Sequence, residues 1–320
     1  MKKVTILGAG AYSIALSRIL NKNGVNVALY TKFTDEKELV ERERGNEKLL
    51  PGVKLMDNTD ISDNLEEAVS DSEIIISCVP SDATRSVMKE LKPYYNDQII
   101  CIATKGVEQD TGYFMDQIVT EELPNDNICA LSGPSFASEI ARFLPTTVTV
   151  AGPKEFTSIV SSNLSNNRFK VEETTDLRGT LICGAFNNIL AIGAGTLTVL
   201  KAGENALAAL TTNGLKEIGI ICKDSGGESN TAYLSCGVGE AAMKCVGSMS
   251  RNKRFGVLIG EGHSLESALR YCGTVEGYAA LKGAKKLMEE KQLNIPIIEA
   301  ICDIVLNGAD PRLLATAICK

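Results

Sequence analysis

The 320-residue chain is poor in the usual metal ligands. It has one histidine, His263, and none of its ten cysteines stands in a C-x-x-C pair. The spacing of a zinc site is missing, so no metal is expected. The cysteines sit mostly inside apolar stretches, as Cys78, Cys101 and Cys183 do, and read as reduced, buried thiols of a cytoplasmic protein. Basic charge is not in excess: 33 Lys and Arg against 40 Asp and Glu leave a net charge of −7. That argues against nucleic-acid binding, which needs a basic face. No apolar run reaches the roughly 18 residues of a membrane span, so no integral membrane segment is expected. Met1-Lys2-Lys3 leads straight into a strand pattern, which predicts no secretory leader. Repeats and low-complexity tracts are also missing. His263, in Gly-Glu-Gly-His-Ser, reads as a solvated loop residue, so any proton transfer falls to a lysine or a carboxylate.

What is present begins at Val4–Leu16, V-T-I-L-G-A-G-A-Y-S-I-A-L. Four strand formers run into a glycine turn and then a helix-period pattern. Gly8 allows the turn, and Gly10 lets a pyrophosphate approach the backbone at the helix N-terminus. The third position of G-x-G-x-x-G is Ser13, small enough for helix–strand packing. Further strands are predicted at Val25–Tyr30, Ile74–Val79, Gln98–Ala103, Ile128–Leu131 and Thr146–Ala151, with helical segments between. This alternation predicts a mostly parallel, doubly wound sheet. Lys105, Ser132 and Ser135 fall in the loops at strand carboxyl ends, where such sheets bind ligands. No acidic residue stands at the end of the second strand, Tyr30-Thr31-Lys32. Lys32 leans the cofactor toward NADP if it pairs with a 2′-phosphate, and is otherwise a surface lysine.

From about Asp176 strand signals fade. Helix-period segments at Leu181–Ile192, Ala206–Cys222 and Glu276–Lys291 predict an all-helical second domain, with the first covering 1–174 and the second 175–320. Apolar helices such as Leu181–Ile192 suit a homodimer. Asn187 and Asn188 interrupt that helix, and either tie it to the sheet or line a cleft. The run Ser248 to Gly256, with Arg251, Lys253 and Arg254, is either a phosphate site or a solvated basic loop.

The motifs, in order, are Gly8-Ala9-Gly10, Asn46 with Leu50-Pro51-Gly52, Val79-Pro80-Ser81, Thr104-Lys105-Gly106 and Leu131-Ser132-Gly133-Pro134-Ser135-Phe136-Ala137. The second half adds Asn188 with Ala191-Ile192 and Ala194-Gly195, Gly203-Glu204-Asn205-Ala206, Gly237-Val238-Gly239, Ser250-Arg251-Asn252 with Arg254-Phe255-Gly256, Val275-Glu276-Gly277 and Pro311-Arg312. With these, nearly the whole chain resembles the bacterial NAD(P)-dependent glycerol-3-phosphate dehydrogenases. The resemblance implies a Rossmann-type domain followed by an all-α domain. It also implies hydride transfer between NAD(P) and C2 of dihydroxyacetone phosphate, a small phosphorylated substrate. It places Ala11, Tyr12 and Lys32 around the cofactor's phosphates and ribose, with Ala137 and Glu276 beside it. Lys105 would touch cofactor and substrate. Gly133, Ser135 and Asn188 would line the substrate site. Ser250, Arg251 and Asn252 would hold the substrate phosphate, Arg251 also near the cofactor.

The departures bear on catalysis. The family has Lys-Asn where this chain has Asn187-Asn188, and that lysine is the family's acid/base. An amide cannot deliver a proton at neutral pH. The family's Gly-x-Gly/Ala-Asp becomes Gly237-Val238-Gly239-Glu240, a later threonine becomes Lys244, and Thr-Arg-Gly becomes Thr212-Asn213-Gly214. Three expectations stay open: Lys244 replaces the missing ammonium, Lys105 serves alone, or the chain binds NAD(P) without chemistry. On sequence alone, Glu240 and Lys244 could equally be a surface i,i+4 pair. A changed phosphorylated substrate is the alternative to glycerol 3-phosphate. A 2-keto-acid or opine dehydrogenase would not need the basic turn.

Overall fold

Buried apolar runs of four to six residues build the centre of the sheet of the computed structural model, which describes residues 3–123 and 126–320. Met1 and Lys2, from the stretch read above as running into the first strand, lie outside the described residues. The strands are β1 Lys3–Leu7, β2 Asn26–Tyr30, β3 Thr59–Ser62, β4 Ile74–Ser77, β5 Ile99–Ile102, β6 Ile128–Ser132, β7 Thr146–Ala151 and β8 Phe169–Thr174. Their spatial order is β3-β2-β1-β4-β5-β6-β7-β8. Every residue of β4 and β5 is buried, as expected of central strands covered on both faces. The order reverses about β1, the switch point at which a doubly wound sheet takes its ligand.

One pair departs from the parallel expectation: β7 runs antiparallel to β6. Their connection holds only the four-residue helix Ala137–Ile140, where a parallel crossover usually carries a full helix. Two strands, β3 and β8, had no clear sequence signal. Thr59–Ser62 is short and polar, and Phe169–Thr174 exposes Lys170 and Glu173. Both are edge strands, where charge discourages pairing with another chain.

The chain forms two compact units. One contains the sheet, up to Thr104 together with Asp116–Leu177; the other contains Lys105–Met115 and Arg178–Lys320. The segment after β5 thus leaves the sheet unit and packs with the helices. Val107 pairs with Phe114 in an antiparallel bridge, Arg178 lies over the Phe114 ring, and Lys286 Nζ donates to the Thr111 carbonyl.

The helical unit is organised around helix Leu177–Val199, buried from Gly179 to Leu197. It is the one helix among the described residues long and apolar enough to cross a membrane, but 89% of its most apolar window is buried. An all-round apolar helix of this kind is a core helix. Helix Arg251–Gly260 crosses it backbone to backbone. A Cβ on Gly195 would lie 2.0 Å from the Lys253 carbonyl oxygen, and one on Gly256 would lie 2.0 Å from the Ile192 carbonyl oxygen. No side chain fits at either point. These two helices, with Glu276–Lys291 beside them, fix the polar residues described below.

Glu217, 5% exposed, accepts hydrogen bonds from the Ile297 and Ile298 N–H groups at 2.8 and 2.9 Å, closing the start of helix Pro296–Asn307. Burial pushes its carboxyl up to about 7, against the pull of those two bonds, and Glu299 adds to the rise. A carboxyl pKa raised in the folded state favours folding while protonated. Its contribution is full below the ordinary value of 4.5 and is lost as pH rises toward 7. Denaturant unfolding should show the wild type losing about 3 kcal/mol relative to Glu217→Gln between pH 4.5 and 7.5. A constant difference across that range would contradict the assignment.

Candidate active site

In the sheet unit, β1 delivers the chain to Gly8, whose φ of +106° belongs to the region glycine favours. A Cβ there would meet the Cys78 carbonyl oxygen at 3.2 Å. Gly10 follows as the extended N-cap of helix Ala11–Lys22, with open space where its Cβ would be. No side chain caps this helix and no acidic residue stands in its first turn. Its leading N–H groups and positive dipole end are therefore suited to an anion. Tyr12 Oη lies 3.2 Å from Ser135 Oγ, and Ser135 Oγ donates to the Gly133 carbonyl at 2.8 Å. The loop after β6 is thus tied to the first turn of the glycine-loop helix. Ala137 opens the next short helix. These residues fit a dinucleotide: a tight turn, bare backbone, and a helix N-terminus that no side chain caps.

The end of β2 differs from the sequence reading. Lys32 is exposed, with Nζ 5.5 Å from the centre of the Phe33 ring. No acid follows β2 directly, yet Glu36 folds back from helix Thr34–Glu43 and its carboxylate accepts the Thr31 hydroxyl. A negative group therefore stands where only Lys32 was recognised. Counting residues along the strand missed it, because the acid arrives from the first turn of the next helix.

In the helical unit, Glu240 is 0% exposed and carries two ammonium groups. It opens helix Glu240–Val246, directly after the π-helical turn Ser235–Gly239. Lys105 Nζ pairs with Glu240 Oε1, and Lys244 Nζ lies 2.7 Å from the same oxygen. Burial alone would raise the carboxyl's pKa; the two ammoniums outweigh it and hold the group below the ordinary carboxylate value. Burial pushes Lys244 downward, with Lys105 adding and Glu240 and Glu276 opposing. Lys244 Nζ also donates to Asn188 Oδ1 at 2.5 Å. That oxygen accepts Asn252 Nδ2 at 2.8 Å, and Asn252 Oδ1 accepts the Gly277 N–H at 2.9 Å. Asn188 Nδ2 donates to the Gly184 carbonyl and, at 3.3 Å, to Glu276. Helix Arg251–Gly260 starts at this network, with Ser250 as its cap and Arg251 exposed.

Asn187 lies apart from this network. Its Nδ2 donates to the Cys236 and Gly237 carbonyls at 3.0 and 3.1 Å. It ties the central helix to the π-helical turn, not to the sheet. The network unites Lys105, Asn188, Glu240, Lys244, Asn252 and Glu276. Gly8, Gly10, Ala11, Tyr12, Gly133, Ser135 and Ala137 group in the sheet unit.

Residues 3–157 match the N-terminal part of NAD-dependent glycerol-3-phosphate dehydrogenase, and residues 176–316 match its C-terminal part. The chain belongs to this dehydrogenase family. The glycerol-3-phosphate dehydrogenase [NAD(P)+] of Fusobacterium nucleatum is 38% identical over 96% of this chain and 93% of its own length. That of Carboxydothermus hydrogenoformans is 36% identical, over 97% and 94%. The crystal structure of glycerol-3-phosphate dehydrogenase from Coxiella burnetii superposes with a TM-score of 0.92 at 30% identity, covering 99% of this chain and 98% of that one. Both the Rossmann-type first part and the helical second part agree with the sequence expectation. The chain is thus a glycerol-3-phosphate dehydrogenase family member whose acidic partner at position 240 is a glutamate and whose position 187 is an amide.

Within this family frame, Glu36 generates an expectation about the coenzyme. A carboxylate near the ribose 2′ position repels a 2′-phosphate. Glu36→Gln should tighten NADPH relative to NADH by about fivefold, the ~1 kcal/mol of a charge pair in water, read by coenzyme fluorescence titration. An unchanged ratio would mean that Glu36 serves only Thr31.

Proposed function

We propose that this protein interconverts dihydroxyacetone phosphate and glycerol 3-phosphate with NAD(P). The observation that carries the reading is the buried network of Lys105, Glu240, Lys244, Asn188 and Asn252 at the N-terminus of helix Arg251–Gly260. It sets ammonium groups beside a helix N-terminus, the combination needed by a substrate with a reducible carbonyl and a phosphate.

The bound nicotinamide supplies or takes the hydride at C2. Gly8, Gly10, Ala11 and Tyr12 cradle the coenzyme's pyrophosphate on backbone donors, with Lys32, Ala137, Arg251 and Glu276 as its further contacts. In this reading residues 1–174 serve the coenzyme and 175–320 the substrate, with Lys105 working alongside the latter. Gly133 and Ser135 complete the substrate contacts. Arg251 gives the phosphate a guanidinium. Asn252 spends one N–H on Asn188 and keeps the other for the phosphate, while the helix cap Ser250 orients the first turn. Glu240 holds the ammoniums in place.

The reading extends to a homodimer in the cytoplasm. Ten cysteines, none of them in a disulfide, support a reducing compartment. Exposed Tyr233, Val246 and Tyr271 on the helical unit supply apolar surface for a second copy, which sedimentation tests.

The direct test is loss of nicotinamide absorbance with NADH or NADPH across phosphorylated ketones and aldehydes. Dihydroxyacetone phosphate is expected to be the best substrate. Preference for another phosphorylated carbonyl would move the substrate, and coenzyme binding without turnover would make the chain a non-catalytic homologue. Arg251→Ala should raise KM for the phosphorylated substrate 10–100-fold with kcat nearly kept, as for a charge-assisted bond made equally in ground and transition states.

A further inference from the structure

Three side chains stand where a proton could be handled, and geometry separates them. Asn187 is 0% exposed, its N–H groups are spent on the Cys236 and Gly237 carbonyls, and its Oδ1 has no hydrogen-bond partner. It braces the turn that delivers Glu240, and its amide has no proton to give. Lys105 and Lys244 share the Glu240 carboxylate. Lys244 is the more enclosed, with its side chain 9% exposed against 15% for Lys105.

Two of the three Lys244 N–H groups are committed, to Glu240 Oε1 and to Asn188 Oδ1. Both acceptors are themselves fixed: Glu240 by Lys105, and Asn188 by Gly184, Glu276 and Asn252. The ammonium is therefore oriented before substrate arrives, with one N–H left to give. Asn188 Oδ1 accepts both Lys244 Nζ and Asn252 Nδ2. The ammonium and the start of the helix assigned to the phosphate are thus one shared acceptor apart. That short span suits a carbonyl separated from a phosphate ester by a single methylene.

We propose that Lys244 is the acid and base at the substrate oxygen, with Glu240 and Asn188 as its positioning residues. The proposal rests on the dehydrogenase reading above. In ketone reduction the hydride forms a C–H bond at C2 and the carbonyl π pair moves onto oxygen. That oxygen takes a proton from Lys244 Nζ, forming O–H as N–H breaks. Lys244 then regains a proton from water, and oxidation runs the same steps backward. Lys105 also pairs with Glu240, so the buried carboxylate keeps a second partner when Lys244 gives up its proton. The downward pull of burial on Lys244 brings its pKa nearer the working pH, where general acids act best.

The test compares wild type with Lys244→Ala and Lys244→Met, the latter keeping the apolar stem so that folding is checked by thermal midpoint. Both variants should bind NADH normally by fluorescence, with kcat about 10²–10⁴-fold lower. Added methylamine should restore part of the Lys244→Ala rate, and Lys244→Arg should not replace the lysine. A readout free of turnover is lysine side-chain NMR of the unliganded protein. Lys244 should titrate below an ordinary lysine, and Glu240→Gln should lower it further by removing the carboxylate. The alkaline limb of ketone reduction should move to lower pH in that variant. Wild-type turnover with Lys244→Ala within tenfold of it, or an ordinary Lys244 titration, overturns the proposal alone. A wild type that binds NADH and reduces no phosphorylated carbonyl overturns the dehydrogenase reading as well.

Discussion

A carboxylate with no exposure to water is costly unless it is paired and hydrogen-bonded, and Glu240 meets this requirement through two lysines. Each lysine reaches it by a different structural device. Lys244 comes one turn along the same helix. Lys105 comes from the segment after β5, which leaves the sheet unit to pack with the helices. The packing of Val107, Thr111 and Phe114 within the helical unit holds that excursion in place. The path of the backbone between Lys105 and Met115 and the electrostatics of the buried carboxylate are therefore one constraint. Without the excursion Glu240 would keep a single ammonium, and proton loss from that ammonium would strand a buried negative charge.

The second constraint is steric. Helix Arg251–Gly260 touches the central helix through glycine on both sides, and a Cβ on Gly277 would lie 2.8 Å from the Asn188 carbonyl oxygen. Such close approach leaves little freedom to slide. The Asn188 and Asn252 amides accordingly meet at 2.8 Å, and the Gly277 N–H closes on Asn252. The small residues align the backbones, and the backbones align the amides. This is how an apolar helix, buried nearly end to end, carries a polar face.

Much of this was legible in the residues. Buried strands are continuous apolar runs, so Ile74–Ser77 and Thr146–Ala151 were read close to their bounds, and the glycine turn has chemistry of its own. The edge strands were not legible, because solvated strands carry charge and lose the apolar signal. Glu36 was missed because its contact with Thr31 depends on where a helix begins, not on strand spacing. Asn187 and Asn188 were read as a pair with two possible roles, but neighbours on a helix point about 100° apart. One turns to the π-helical turn and the other to Lys244, a division that only the position of helix Glu240–Val246 could decide.

The Glu240–Lys244 spacing shows why pattern alone underdetermines chemistry. Four residues apart on a solvated helix, such a pair is worth about 0.3–0.5 kcal/mol and does nothing further. Here both side chains are buried, in the helix that directly follows the π-helical turn, and the same spacing takes on another meaning. Water no longer screens the pair, so the carboxylate is held ionised and the ammonium is held in one orientation. A lysine buried beside one carboxylate would form a closed pair. A second lysine on the same oxygen, together with an amide acceptor on the first, leaves that first ammonium oriented while freeing it from being the carboxylate's only partner. The brace that holds the π-helical turn in position is Asn187, the residue that looked from the sequence like a loss.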